Sequence, residues 1–187
     1  MRIGLISDTH IPGTGKEPPY QVARAFEGVD LILHAGDIYV PSCLDWLEQL
    51  APVQAVEYHG SRNFDGDLRV SEQRTVEVDG HTIGMVHDFM LPGVQKEIRP
   101  GVIEADFPRN GSLSEAVQKV FGAPVNIVVF GHTHEAIVED HQGVLFVNPG
   151  SPSLPKQLRR LGTVAILELT SQRPNAHIVD LATLGQP

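Results

Sequence analysis

Five short runs of apolar and β-branched residues recur along the chain: "RIGLIS", "LILHAG", "VQAVEY", "TIGMVH" and "NIVVFG". Runs this short and continuous fit strands buried on both faces, as in α/β folds where helices cover a sheet on each side. The segments between them read as crossovers. "YQVARAFEG" turns Val22, Ala25 and Phe26 to one face and stops at Gly28, and "PSCLDWLEQL" does the same with Leu44, Leu47 and Leu50. A third segment, "SLSEAVQKVFG", opens with Ser112 and Glu115 at capping-box spacing and closes at Gly122.

Other stretches call for antiparallel pairing. "TVEVDGHTIGMV" sets Asp79-Gly80 between two extended runs, a strong signal for a two-residue hairpin, and "AIVEDHQGVLFV" predicts a second one. The closing runs "TVAILEL" and "NAHIVDL" add further strands. Two packed mixed sheets flanked by helices accommodate this combination and place the chain in the α/β class. A length of 187 residues predicts one domain over 1–187. Between Asp88 and Gly111 both periodicities break, and "LPGVQKEIRPG" is rich in proline and glycine, so 88–111 reads as a loop insertion near the strand ends. A lid and an unanchored insertion are both open readings.

Composition narrows the function. The single cysteine, Cys43, leaves neither an internal disulfide nor a thiolate zinc cluster, so any metal must be held by His, Asp and Asn. No apolar run approaches the roughly 20 residues that span a bilayer, and "MRIGLISDTH" reaches Asp8 too early for a signal peptide. These features predict a cytoplasmic protein without a membrane partner. A formal charge of −9 argues against strong nucleic-acid binding, although a metal's local charge still permits a nuclease. One sequence decides neither for nor against a homodimer.

Polar residues fall where the apolar runs end. Asp8 and His10 follow the first, Asp37 the second, Asn63 the third, His87 the fourth, and His132 and His134 the fifth. In open α/β sheets the crevice beyond the strands' carboxyl ends is where sites form. Taken singly, Asp8 or Asp37 could bond local amides and Asn63 could hold a turn. Random placement would scatter seven such residues among helices and hairpins, so together they point to a metal site. Carboxylates and imidazoles suit Mn, Fe, Ni and Zn, and a bridging carboxylate can hold two cations about 3.5–4 Å apart. Such a pair binds phosphoryl oxygens and brings the pKa of water towards about 7, so that hydroxide attacks rather than a side chain.

These elements, "DTH", "GD", "NFD", His87, "GHTH" and "NPGS", resemble the calcineurin-like metallophosphoesterases, especially the small bacterial and archaeal phosphodiesterases. They stand in the family's order from Asp8 to Ser151. The resemblance implies a four-layer αββα sandwich and a metal-dependent phosphodiesterase acting on a small-molecule or oligonucleotide phosphodiester. It also implies two divalent ions, with Mn expected and Ni, Fe, Zn or Mg as alternatives. Asp8, His10 and His134 would hold the first ion, Asn63, His87 and His132 the second, and Asp37 would bridge them. Catalysis would then fall to Asp37, Asn63 and His132. Gly36, Gly131 and Gly150 would let the backbone turn sharply there, and Ser151 would shape the wall.

Two departures from the family pattern stand out. The common Gly-Asn-His is replaced by "HGSRNFDG", which separates Gly60 from Asn63 and puts Phe64 after it. The family's leaving-group acid is therefore missing, and Asp65 and His59 are the substitutes on offer. Another residue of this loop could also take the ligand role of Asn63. In "VHDF", Asp88 follows His87 where many relatives have glycine, and Arg62 offers a phosphate-steering guanidinium. Two other functions compete. One is a non-catalytic protein-binding module on the same fold, as in the family's retromer subunit, with "FMLPGV" as a docking loop. The other is a serine hydrolase using Ser151, His132 and Asp37, which lacks a G-x-S-x-G elbow. His34, inside an apolar run, reads as a hydrogen-bonded core histidine.

Overall fold

The computed structural model describes residues 1–58, 62–170 and 173–185. In the first of its two sheets β1 (Arg2–Ile6), β2 (Leu31–His34), β3 (Val53–Val56) and a short edge strand, β4 (Val70–Ser71), run parallel. On the other side β10 (Thr163–Glu168) and β11 (Asn175–Asp180) add antiparallel strands, giving the order β11-β10-β1-β2-β3-β4. The second sheet contains β5 (Gln73–Val78), β6 (His81–Val86), β7 (Ile127–Val129), β8 (Ile137–His141) and β9 (Val144–Asn148) in the order β5-β6-β7-β9-β8. Its three central strands are parallel, and a hairpin flanks them on each side.

Both hairpins turn where two residues accept positive φ. Asp79 and Gly80 lie at 48° and 78°, Gln142 and Gly143 at 51° and 80°. Paired left-handed residues give the twist that matches the strands they join. The central strands β2, β7 and β9 are buried along their whole length, whereas the edge strand β5 alternates between exposed and half-buried positions. That contrast is what covered parallel strands and a half-solvated edge require.

Three apolar layers stack through the molecule. Ile3, Leu5, Leu33 and Val56 of the first sheet meet Ile83, Met85, Val129 and Val147 of the second. Helices α1 (Tyr20–Ala25) and α2 (Pro41–Glu48) cover the outer face of the first sheet, with Val22, Leu44 and Leu47 packing near Ile6 and Ile32. Against the outer face of the second sheet lie α3 (Val102–Asp106) and α4 (Leu113–Phe121), which bury Ile103, Val117 and Phe121 with Val128 and Phe146. The result is a four-layer αββα sandwich. Ser112 caps α4 by accepting the Glu115 N–H at 3.3 Å, and Gly122 ends it at φ 72°.

The segment 88–111 departs from a structureless loop. It contains α3, and Phe89, Leu91, Val94 and Ile98 are buried in the same layer as α4. These anchors follow no helical or alternating period, so periodicity alone did not reveal them. No helix among the described residues is long and apolar enough to cross a membrane.

Candidate metal centre

The parallel strands of both sheets end on the same side and deliver their loops to one edge of the sandwich. Asp8 and His10 follow β1, Asp37 follows β2, His87 follows β6, and His132 and His134 follow β7. One ligand-type atom from each of Asp8, His10, Asp37 and His134 lies within 4.8 Å of the others. The backbone is unusual there: φ is 53° at Asp8, 52° at His10, 55° at Asp37, 71° at His132 and 56° at His134. Left-handed non-glycine residues cost on the order of 1–3 kcal/mol each, and persist only where their surroundings enforce them. Backbone bonds between loops do so here, from Asp8 N–H to the Gly36 carbonyl and from His10 N–H to the Asp37 carbonyl, both 2.9 Å.

Each of three imidazoles is oriented by its outer nitrogen. His87 Nδ1–H donates to the Ala35 carbonyl at 2.8 Å and His134 Nδ1–H to the Leu154 carbonyl at 2.7 Å, while His10 Nδ1 lies 2.7 Å from the Tyr39 hydroxyl. At His87 and His134 the carbonyl acceptor fixes the proton on Nδ1 and leaves Nε2 to face inward, as a metal ligand needs, while the Tyr39 hydroxyl can donate to or accept from His10 Nδ1. His10 Nε2 and His134 Nε2 are 3.0 Å apart, and Asp8 Oδ1 is 3.4 Å from the latter. Asp37 Oδ2 lies 3.3 Å from His10 Nε2 and 3.5 Å from His87 Nε2, so one carboxylate oxygen stands between two histidines.

Of the remaining sequence candidates, His132 and Asn63 adjoin this group. The His132 ring meets that of His87 edge-on at 5.5 Å, its backbone N–H donates to Asp8 Oδ1 at 3.0 Å, and its Nε2 is 3.9 Å from Glu97. Asn63 does not close β3; it lies seven residues beyond Val56, in the short 3-10 turn Arg62–Phe64. Its Nδ2 donates to the Tyr39 carbonyl at 2.7 Å, which sets its carbamoyl beside the Asp37 loop. Asp65 is exposed and makes no hydrogen bond or ion pair with the other candidates among the described residues. His59 and Gly60 lie outside the described residues, as does the side chain of Arg62.

The electrostatics fit a cation. Burial pushes the Asp8 carboxyl above its usual range, although His87, the Ser7 hydroxyl at 2.5 Å and His134 draw it back. Burial also opposes charge on His87, but the Asp37 contact and the Asp8 and Asp37 charges outweigh it and raise this imidazole to about 9. Asp37 is likewise opposed by burial and held below its usual range by His87, His10 and His134. A fully buried carboxylate and two imidazole nitrogens facing each other at 3.0 Å would be satisfied together by a divalent ion. With no thiolate among them, the donors suit Mn, Fe, Ni, Zn or Mg.

Three glycines beside the site meet different needs. Gly36 and Gly150 lie at φ 98° and 72°. Gly131 has no positive φ and makes room instead, since a Cβ there would stand 2.7 Å from Asp8 Oδ2. Its expected sharp turn is therefore corrected to a close approach. Ser151 is fully buried, donates to the Asp8 carbonyl at 2.7 Å and accepts the Leu154 N–H at 2.8 Å, a bracing arrangement with no bond to His132. His34 is buried in the core, accepts from Gly36 N–H and bonds the Thr9 hydroxyl at 3.1 Å.

Sequence reasoning passed over two residues. Glu57 closes β3 directly and is 5% exposed; its Oε2 accepts the Ile38 N–H at 2.7 Å. A charged residue ending an apolar run was the signal used for the other strands, and it pointed here too. Tyr39, which meets His10, carried no such mark.

The chain belongs to the calcineurin-like phosphoesterase superfamily, whose domain matches residues 1–172. A probable metallophosphoesterase of Methanothermobacter thermautotrophicus is 32% identical over 180 residues, 96% of this chain and 92% of that protein. Among solved structures, Vps29 of Entamoeba histolytica complexed with zinc superposes with a TM-score of 0.66 at 18% identity, over 97% of this chain and 99% of Vps29. A protein described as a novel archaeal phosphodiesterase gives 0.59 at 20% identity, over 96% and 100% of the two chains.

Proposed function

We propose that the chain is a metal-dependent phosphodiesterase with a dinuclear site. Asp8, His10 and His134 would hold one ion, Asn63, His87 and His132 the other, and Asp37 would bridge them. The observation that carries this reading is Asp37 Oδ2, which stands 3.3 Å from His10 Nε2 and 3.5 Å from His87 Nε2. When bound, two divalent cations supply Lewis acidity to a phosphoryl group and acidify water; Mn is our first choice.

The chain's own residues set the stage for that chemistry. Asp8, fully buried, and Asp37, half-buried, supply the carboxylates, and the outer hydrogen bonds of His10, His87 and His134 fix where their Nε2 atoms point. Asp65, exposed beyond the Arg62–Phe64 turn, is the carboxyl we place near the leaving group. The substrate class is a small-molecule or oligonucleotide phosphodiester, in keeping with the activity named for the archaeal fold relative.

One observation favours a second reading, a protein-binding module without turnover. Phe64, which follows Asn63 where the family carries its acid, is buried in the layer beneath α1 and α2. The deciding experiment strips the protein with chelator, restores Mn²⁺, and measures an aryl phosphodiester beside the matching monoester, with Asp37→Asn as control. Metal-dependent diester turnover that falls about 100-fold or more in the variant is expected. Full metal binding and turnover in Asp37→Asn would sink the mechanism, and two bound metals without turnover would favour the binding module.

A further inference from the structure

The loop after β9 brings a cation to the same edge of the sandwich, and it is firmly held. Ser151 ties it to Asp8 and Leu154, the Leu154 carbonyl accepts from His134 Nδ1, and the Lys156 N–H donates to the His134 carbonyl at 3.3 Å. Arg159 straps its far end to the Thr14 carbonyl at 2.8 Å, four residues past His10. Lys156 and Gln157 then sit consecutively at φ 51° and 63°, two left-handed non-glycine residues in a row. Strain of this kind collects where geometry is held for function.

Lys156 and Gln157 share a cleft of about 260 Å³ with His132 and Arg99. Arg99 is committed to Glu97, at 2.8 Å, and to Glu135. Lys156 makes no ion pair among the described residues. A phosphoester anion approaching a chain of formal charge −9 meets carboxylates at Asp8, Asp37, Glu97 and Glu135, and the positive charge of Lys156, a residue that lines the same cleft as His132, offsets that field locally.

We propose that Lys156 anchors the substrate, its ammonium donating to an anionic oxygen of the phosphoester bound beside His132. The inference rests on the reading of this chain as a phosphoesterase. It is tested on wild type, Lys156→Met and Lys156→Arg, each loaded with Mn²⁺ and matched for metal content. Binding of inorganic phosphate is followed by calorimetry, and steady-state kinetics on bis(4-nitrophenyl) phosphate are measured beside it. Lys156→Met is expected to weaken phosphate binding and to raise KM about tenfold, with kcat within about twofold, as for the loss of one charge-assisted contact made equally in ground and transition states. Lys156→Arg should restore both to within about twofold of wild type, because a guanidinium also serves an oxyanion. Unchanged phosphate affinity in Lys156→Met, or a wild type that binds no phosphate, overturns the proposal. A wild type that binds phosphate but turns over no diester refutes the diesterase reading, and the phosphate measurements alone then decide Lys156.

Discussion

The carboxylate of Glu57 accepts the backbone N–H of Ile38 at 2.7 Å, one residue past Asp37. Its second oxygen accepts the Tyr58 N–H at 2.9 Å, so a buried acid at the end of β3 fixes the loop leaving β2. Glu57→Ala is expected to strip that loop of its acceptor and to destabilise the metal-free protein by about 1–3 kcal/mol, the cost of an unsatisfied buried donor. Metal affinity should fall about 10–100-fold, as for other groups that orient ligands. Urea unfolding and Mn²⁺ titration measure the two effects; an unchanged metal affinity would reduce Glu57 to a stabilising residue only.

Gly131→Ala should act through Asp8. The added methyl would stand 2.7 Å from Asp8 Oδ2 and 3.0 Å from the Ala35 carbonyl, so either the carboxylate or the loop must move. A loss of about 1–3 kcal/mol is expected from overpacking. Weaker metal binding should accompany it. Calorimetric titration with Mn²⁺ checks this, and wild-type affinity would mean that Asp8 tolerates the shift.

Ser151→Ala separates bracing from nucleophilic catalysis. The hydroxyl joins the Asp8 carbonyl to the Leu154 N–H, and its loss should cost about 1–3 kcal/mol of stability. No covalent adduct should form between wild-type protein and a fluorophosphonate probe, as judged by intact mass. An adduct on Ser151 would revive the serine-hydrolase reading.

His34 gives the metal-free protein an acid-side dependence. Burial first, and the charge of His87 next, bring its imidazole from the ordinary 6.5 down to about 3. Unfolding frees it to take up a proton below pH 6.5, so its contribution is complete above that pH and is lost as pH falls towards 3. Stability of the chelator-treated wild type should therefore fall up to about 1.4 kcal/mol per pH unit more steeply than that of His34→Asn between pH 6 and 4. Denaturant melts across that range provide the comparison. Parallel slopes would assign the acid response to other groups.

Much of the fold was legible because its signals are local. Continuous β-branched runs marked buried strands, Asp79-Gly80 marked a hairpin, and Ser112 with Glu115 marked the start of α4. The two-residue strand β4 and the helix α3 were not legible, since neither is long enough to carry a period. In the segment 88–111 the buried residues Phe89, Leu91, Val94 and Ile98 owe their burial to the layer formed by α4 and the second sheet, a partner distant in sequence.

By itself, the sequence determined which residue types stand at the strand ends, and hence that carboxylates and imidazoles were available to a metal. Parallel strands bring those ends to one edge within each sheet, and the packing of the two sheets sets both edges together. Only the tertiary structure decided the distances: that Asp37 Oδ2 stands between His10 and His87, that Asn63 reaches the Asp37 loop through Tyr39, and that Lys156 is held against His134. Each of these relations joins residues from different loops, and the contacts that fix them form only when the strands have assembled into sheets and, for Asp37 and His87, when the two sheets have packed, so no local pattern in the chain could encode them.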